Sequence, residues 1–123
     1  MAGGGHILVV EDDGTIADVL AELLTGEGYR VTVGVDGAAV DAARADPPDV
    51  VLLDLWMPGM DGAEVCRRLK ADPRTRRAPI VFVTATPAGV VGRHLAGCEY
   101  AAVIHKPFDI AALLDTVARL LAA

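Results

Sequence analysis

The stretch DVVLLDLWMPGMDG, residues 49–62, decides the fold of this chain. It contains four consecutive apolar residues, Val50 to Leu53, and turn-forming residues lie on both sides of them. Such a short run is typical of a strand that is buried on both faces of a parallel sheet. Asp54 follows directly, and Pro58 and Gly59 predict a loop beside it. Because open α/β sheets bind ligands at the carboxyl ends of their strands, we expect a functional site around Asp54.

Four other short apolar segments predict further strands of the same sheet, and they cover residues 6–10, 30–35, 79–83 and 101–105. Between and after the strands, apolar residues recur at helical spacing. The first predicted helix runs from Thr15 to the glycines at 26 and 28, and the second follows Asp36 and Gly37 and ends at about Ala45. The other three cover about 63–71, 88–95 and 109–121. Five β–α units without repeats or linkers predict an α/β fold, a doubly wound parallel sheet with helices on both faces.

The composition indicates one acidic globular domain. The chain has 123 residues, of which 53% are hydrophobic, and a net charge of -6. Nucleic-acid binding by this domain is not expected, because phosphate contacts need clustered lysine and arginine. Membrane insertion is not expected either, because no apolar run approaches the roughly 18 residues that a spanning helix needs.

The chain shows no targeting signal and no metal-binding cysteine pattern. Residues 1–5 lack the charged and apolar regions of a signal peptide, so we expect a cytoplasmic location. Cys66 and Cys98 lack zinc-site spacing and are interpreted as packing residues in a reducing compartment. His6, His94 and His105 are interpreted as a strand start, an exposed helix position and a strand end.

Four of the five predicted strands are followed by residues whose side chains can react or bind a ligand. Glu11 and Asp12 follow the first strand, Asp54 the third, Thr84 the fourth and Lys106 the fifth. Since the carboxyl ends of parallel strands meet at one edge, these side chains are expected to lie together. The next acidic residue, Asp13, has a simpler interpretation as the N-cap of the first helix.

A carboxylate cluster without histidine or cysteine is typical of a hard cation such as Mg²⁺. Together with Mg²⁺, Thr84 and Lys106 can share the oxygens of a phosphoryl group. Asp54 is the expected nucleophile because a carboxylate is already ionised at pH 7, whereas the Thr84 hydroxyl is barely acidic. The predicted reaction is phosphoryl transfer to Asp54.

Thr86 and Pro87 are predicted as the N-cap and first residue of the helix over 88–95. We expect this helix to be the least firmly packed element of the chain.

The chain closely resembles the receiver domain of two-component response regulators, the CheY-like family. Four motifs carry the resemblance, at residues 9–13 (VVEDD), 53–62 (LDLWMPGMDG), 83–85 (VTA) and 106–108 (KPF). Their order and spacing are very specific, and the match covers essentially residues 6–122. The resemblance implies a flavodoxin-like five-stranded parallel sheet of order 2-1-3-4-5. Residues 6–122 are then the receiver domain and residues 1–5 a flexible N-terminal segment.

The resemblance also implies roles for the residues at the strand ends. Asp54 would accept a phosphoryl group from a histidine kinase or a phosphotransfer protein, and the chain would signal to an output domain or partner. It would not be an enzyme beyond its own phosphorylation and dephosphorylation. Thr84 and Lys106 would contact the phosphoryl group, and the Lys106–Pro107 bond would be cis. Mg²⁺ would be held by Asp12, Asp54 and the main-chain carbonyl of Trp56, with Glu11 acting through water.

Two features depart from the family pattern. Val103 stands where the family usually has an aromatic residue coupled to the threonine, so signalling is expected to use backbone shifts over 85–95 instead. Ala102, Ala112 and Thr116 stand where the winged-helix subfamily has the charged residues of its dimer face. The sequence therefore does not support a homodimer of that style, whereas the alanine-rich last helix suggests a surface for a partner.

Three alternative functions fit the sequence less well. A degenerate receiver that binds a partner without phosphorylation is disfavoured because all five site residues are present. A haloacid-dehalogenase-like phosphatase is disfavoured because that family requires an aspartate at the position of Trp56. A flavodoxin-type cofactor site is disfavoured because it requires a phosphate-binding loop where this chain has Glu11 and Asp12.

Overall fold

The computed structural model describes residues 4–122, which form five parallel strands alternating with five helices. The strands are β1 (His6–Val10), β2 (Arg30–Gly34), β3 (Val50–Leu53), β4 (Ile80–Thr84) and β5 (Ala102–His105). The helices are α1 (Gly14–Gly26), α2 (Asp36–Ala45), α3 (Gly62–Ala71), α4 (Ala88–His94) and α5 (Ile110–Ala122). The strand order is β2-β1-β3-β4-β5, which confirms the predicted flavodoxin-like α/β fold.

The central strands are buried along their whole length because helices cover both faces of the sheet. On one face, Leu8, Val51 and Phe82 belong to a core cluster with residues of α2, α3 and α4. On the other, Ile7 and Leu52 belong to a second cluster with residues of α1 and α5. The continuous apolar runs in the sequence reflect this two-sided burial. The edge strand β2 is only partly buried, which explains its alternating pattern.

Strand register sets which strand ends become neighbours. Val10 of β1 pairs with Leu53 of β3, so Glu11 and Asp54 leave adjacent strands at the same level. Thr84 of β4 pairs with His105 of β5, and Lys106 follows at the next position. The four chemistry-bearing strand ends therefore reach one edge of the sheet, as the sequence predicted.

Helix starts agree with the sequence for α1 but not for α4. The Asp13 carboxylate caps α1 by accepting hydrogen bonds from the backbone N–H groups of Thr15 (3.0 Å) and Ile16 (3.2 Å), as predicted. The prediction of Thr86 as the N-cap of α4 is wrong. Pro87 occupies the cap position without a side-chain cap. The physical reason is that the Thr86 hydroxyl is hydrogen-bonded to Trp56 and Thr84 instead.

Among the helices of residues 4–122, none has the length and apolarity needed to cross a bilayer.

The predicted flexible segment, residues 1–5, lies largely outside the described residues. Within the described part, Gly5 is buried and its carbonyl accepts a hydrogen bond from the Arg30 N–H at 2.9 Å. The domain boundaries drawn from the sequence stay a prediction.

Candidate functional site

Three carboxylates gather at the carboxyl edge of β1 and β3. One oxygen from each of Glu11, Asp12 and Asp54 lies within 4.8 Å of the others. The backbone N–H of Asp54 donates to the carbonyl of Val10 at 2.9 Å, which fixes the end of β3 beside the end of β1. The pairing of the two central strands thus forces the predicted acidic cluster together.

Burial makes this cluster electrostatically costly. Glu11 and Asp54 are only 4% and 8% exposed, whereas Asp12 is open to solvent. Loss of hydration and the neighbouring charge of Glu11 raise the pKa of Asp54 to about 6, although Lys106 and the backbone N–H of Trp56 act in the opposite direction. At pH 7 the Asp54 carboxylate is still mostly ionised. A site that concentrates buried negative charge in this way favours a bound cation.

Lys106 supplies the positive charge on the β5 side of the cluster. Its Nζ lies 2.8 Å from Oε1 of Glu11 and 3.7 Å from Oδ2 of Asp54. The backbone N–H of Lys106 also donates to the carbonyl of Thr84 at 2.8 Å, and the bond to Pro107 is cis, as the resemblance implied. One ammonium group faces three carboxylates, so a net negative charge remains.

Hydroxyl groups and an indole form the other side of the site. The Thr84 hydroxyl lies 2.9 Å from the Thr86 hydroxyl, and the backbone N–H of Thr86 donates to the Thr84 oxygen at 3.1 Å. The indole N–H of Trp56 donates to the Thr86 hydroxyl at 2.5 Å. These bonds join the loop after β3 to the loop after β4. Sequence reasoning missed this contact because Trp56 and Thr86 are 30 positions apart and show no shared pattern.

The same indole extends the network to α4. The rings of Trp56 and His94 lie 4.4 Å apart between centroids at an interplanar angle of 45°. Nε2 of His94 is 3.4 Å from Oδ2 of Asp61. His94 is therefore half-buried against the site and not simply an exposed helix residue, which corrects the interpretation from the sequence. Its helical spacing contains no signal that could have revealed a contact with Trp56.

A close backbone approach holds the loop after β3 in place. Gly62 begins α3, and its N–H donates to the carbonyl of Leu55 at 2.7 Å. A Cβ atom at Gly62 would lie 2.9 Å from the Cα of Leu55 and closer still to the carbonyl oxygen of Asp54. Since real Cβ atoms do not approach backbone this closely, only glycine fits here. Sequence reasoning did not assign this role to Gly62.

Asp54, Thr84 and Lys106 line one open cavity of about 440 Å³ together with Trp56, Ala85, Thr86 and Pro87. The arrangement thus brings together the side chains of all five predicted site residues. The ligands offered to a cation are oxygen atoms of carboxylates, which suits Mg²⁺ chemistry. The ligand role of the Trp56 carbonyl stays a prediction.

Comparison with known proteins agrees with this geometry. The family model "Response regulator receiver domain" matches residues 7–118. The chain is 44% identical over 107 residues to the response regulator PleD of Caulobacter vibrioides, and 45% identical over 107 residues to the DNA-binding response regulator MtrA of Mycobacterium tuberculosis. These matches cover 85% and 84% of this chain but only 23% and 44% of the relatives, so the chain spans less than half of either protein.

A solved structure shows the same fold. The receiver domain of the sensor histidine kinase PA1611 from Pseudomonas aeruginosa, determined with a magnesium ion coordinated in its active-site cleft, superimposes with a TM-score of 0.88. The two sequences are 32% identical, and the match covers 98% of this chain and 99% of that one. The family model and these relatives show that the chain belongs to the response regulator receiver domains of two-component systems, whose fold is CheY-like.

Proposed function

We propose that this receiver domain accepts a phosphoryl group on Asp54 in a Mg²⁺-dependent reaction and passes a conformational signal to an output domain or partner. The observation that supports the proposal best is the position of Asp54. Its carboxylate lies in the acidic cluster, 3.7 Å from the Lys106 ammonium, in the cavity that Thr84 also lines. A nucleophile, a cation site and two groups able to bind phosphoryl oxygens are therefore adjacent.

The donor is proposed to be a histidine kinase or a histidine phosphotransfer protein. An Asp54 carboxylate oxygen attacks phosphorus, a P–O bond forms, and the P–N bond to the donor imidazole breaks. The product is an acyl phosphate on Asp54. Because the reaction mainly needs positioning and neutralisation of charge, Lys106 and the Thr84 hydroxyl are suited to bind the equatorial oxygens. The expected cytoplasmic location stays a prediction.

The residues of the cluster are suited to different parts of a Mg²⁺ site. Oε1 of Glu11 already binds Lys106, and Oε2 accepts a hydrogen bond from the Asp13 N–H at 3.2 Å. Glu11 is therefore proposed to act through water. The exposed Asp12 and the buried Asp54 are the proposed direct ligands, with the Trp56 carbonyl. Bound Mg²⁺ supplies positive charge that neutralises the carboxylates and the phosphoryl oxygens.

Beryllofluoride, which mimics a phosphoryl group, tests the proposal directly. The protein is titrated with beryllofluoride and Mg²⁺, and binding is followed by the fluorescence of Trp56, the single tryptophan, and by backbone NMR shifts. We expect saturable, Mg²⁺-dependent changes near Thr84 and Lys106, and their complete loss in Asp54→Asn.

Asp13→Asn is the matched control, because it removes one nearby carboxylate while asparagine keeps the capping ability. This variant is expected to bind beryllofluoride like the wild type. Binding by Asp54→Asn would contradict the assignment of the acceptor. No response of the wild type at millimolar Mg²⁺ would favour a degenerate receiver that binds its partner without phosphorylation.

A further inference from the structure

The two cysteines lie together in the seam between α3 and the loop that follows α4. Cys66 is in the middle of α3 and fully buried, and Cys98 is half-buried in the loop over residues 95–101. They are separated by 32 positions in the chain. Neither takes part in the site at the carboxyl edge of the sheet, so the proposed function leaves both thiols unused.

Each thiol points towards the element that carries the other. The Cys66 thiol donates to the carbonyl of Glu99 at 3.4 Å, next to Cys98 in the loop. The Cys98 thiol donates to the carbonyl of Ala63 at 3.6 Å, one turn before Cys66 in α3. Cys98 also packs against the core cluster to which Cys66 belongs. This reciprocal arrangement brings both sulfur atoms into the same seam.

The surroundings of the two thiols differ in a way that separates their chemistry. The Arg67 guanidinium lies 3.9 Å from Sγ of Cys98, which is the more accessible of the two cysteines. Burial, together with the neighbouring Cys98, raises the pKa of the Cys66 thiol to about 12. Cys98 is therefore suited to react with an external oxidant, and Cys66 to react afterwards with the oxidised Cys98.

We propose that Cys66 and Cys98 are a redox pair that closes to an intramolecular disulfide when the protein meets a peroxide. The Cys98 thiolate attacks the peroxide, the O–O bond breaks, and Cys98 becomes a sulfenic acid. The Cys66 sulfur then attacks the Cys98 sulfur, an S–S bond forms, and water leaves with the Cys66 proton. Overall, hydrogen peroxide is reduced to two water molecules while the two thiols lose two electrons and two protons.

The disulfide would join α3 covalently to the loop between α4 and β5. That loop includes Gly97, whose φ of 86° lies in the left-handed region that favours glycine. A crosslink here would restrict the position of the C-terminal end of α4, which carries His94 beside Trp56. The modification site itself does not depend on the phosphorylation chemistry of Asp54.

The test uses the whole chain treated with hydrogen peroxide and then with an alkylating reagent under denaturing, non-reducing conditions. Mass spectrometry is expected to show a monomer that has lost two hydrogen atoms and takes up no alkyl group. A peptide joining Cys66 to Cys98 should be found, and dithiothreitol should restore two alkylatable thiols. Monomers with free Cys66 and a sulfinic acid at Cys98 would overturn the proposal, and so would disulfide-linked dimers or two unreacted thiols.

Single variants separate the two steps. Cys66→Ser should stop at a Cys98 sulfenic acid that a dimedone probe traps. In Cys98→Ser, Cys66 should oxidise at least about tenfold more slowly than Cys98 does in Cys66→Ser, because Cys66 is buried. If Cys66→Ser proves unstable, Cys66→Ala replaces it. Equal oxidation rates of the two single variants would contradict the assigned roles, and dimedone labelling of Cys66 in the wild type would also do so.

Discussion

The two sides of the site satisfy their polar groups in opposite ways. The acidic half, formed by Glu11, Asp12 and Asp54, holds more negative charge than Lys106 can neutralise. The hydroxyl half, formed by Thr84, Thr86 and Trp56, is already closed by hydrogen bonds of 2.5–2.9 Å. The acidic half therefore gains stability from a ligand, whereas the hydroxyl half must exchange an existing bond when it binds one. We therefore expect the two halves to respond to a ligand differently, the acidic half through charge and the hydroxyl half through exchange of hydrogen bonds.

The largest expected effect tests the backbone framework of the acidic half. Gly62→Ala should destabilise the protein by about 3 kcal/mol or more, because the new methyl group would meet the backbone of Asp54 and Leu55, which cannot move aside easily. Urea unfolding measures this. The control is Gly92→Ala in α4, where no atom beyond the adjacent helix backbone lies within 4 Å of the new methyl group, and this change should be neutral or slightly stabilising. Equal stabilities of the two variants would contradict the role of Gly62.

The second prediction removes the counter-charge of the acidic half. Lys106→Met leaves the buried Glu11 carboxylate beside Asp54 without its ammonium partner, and should cost about 2–3 kcal/mol in the free energy of unfolding at pH 8. Adding Glu11→Gln to this variant should restore most of the loss, as measured by urea unfolding. Arg119→Met, which breaks an exposed ion pair with Asp115, should cost less than about 0.5 kcal/mol. A loss that Glu11→Gln does not recover would argue against charge as its cause.

The third prediction concerns pH. The pKa of Asp54 is raised from 3.8 to about 6 in the folded protein, so the folded state binds a proton more tightly than the unfolded state. The stability contributed by this proton is present at low pH and is lost as the pH rises towards 6. Asp54→Asn should therefore be more stable than the Mg²⁺-free wild type at pH 8, by about 1–2 kcal/mol because solvent screens part of the repulsion.

Thermal unfolding between pH 4 and pH 8 measures this difference in stability between Asp54→Asn and the wild type. The advantage of Asp54→Asn should be small near pH 4 and should shrink at pH 8 when millimolar Mg²⁺ is added, because the cation stabilises the ionised wild type. An advantage that is the same at both pH values would show that electrostatic repulsion at Asp54 is not its source.

The smallest effect is expected in the hydroxyl half. Thr86→Val keeps the shape of the side chain but removes the oxygen that accepts the Trp56 indole N–H, and should cost about 1 kcal/mol. The fluorescence maximum of Trp56, which is 48% exposed, should shift as its partner becomes water. Thr25→Val on the exposed side of α1 should leave the spectrum unchanged. An unchanged spectrum in Thr86→Val would mean that the hydroxyl half is not closed in solution.

Sequence patterns predicted the acidic half better than the hydroxyl half. Glu11 directly follows the apolar run of β1 and is followed by Asp12, while Asp54 directly follows β3, and parallel strands can only bring such positions to one edge. The contacts of Trp56 with Thr86 and His94 depend on how two loops fold across the edge. Loop conformation is not encoded in a hydrophobic period, so the same reasoning placed Thr86 at a helix cap and His94 in solvent.

By itself, the sequence determined the alternation of strands and helices, the edge where the site lies and the identity of its charged residues. These follow from hydrophobic burial, which leaves a periodic record along the chain. The tertiary structure alone decided the raised pKa of Asp54, the exclusion of a side chain at Gly62, the closure of Trp56 onto Thr86 and the meeting of Cys66 with Cys98. Each of these depends on distances between residues far apart in the chain, which become fixed only when the helices pack against the sheet.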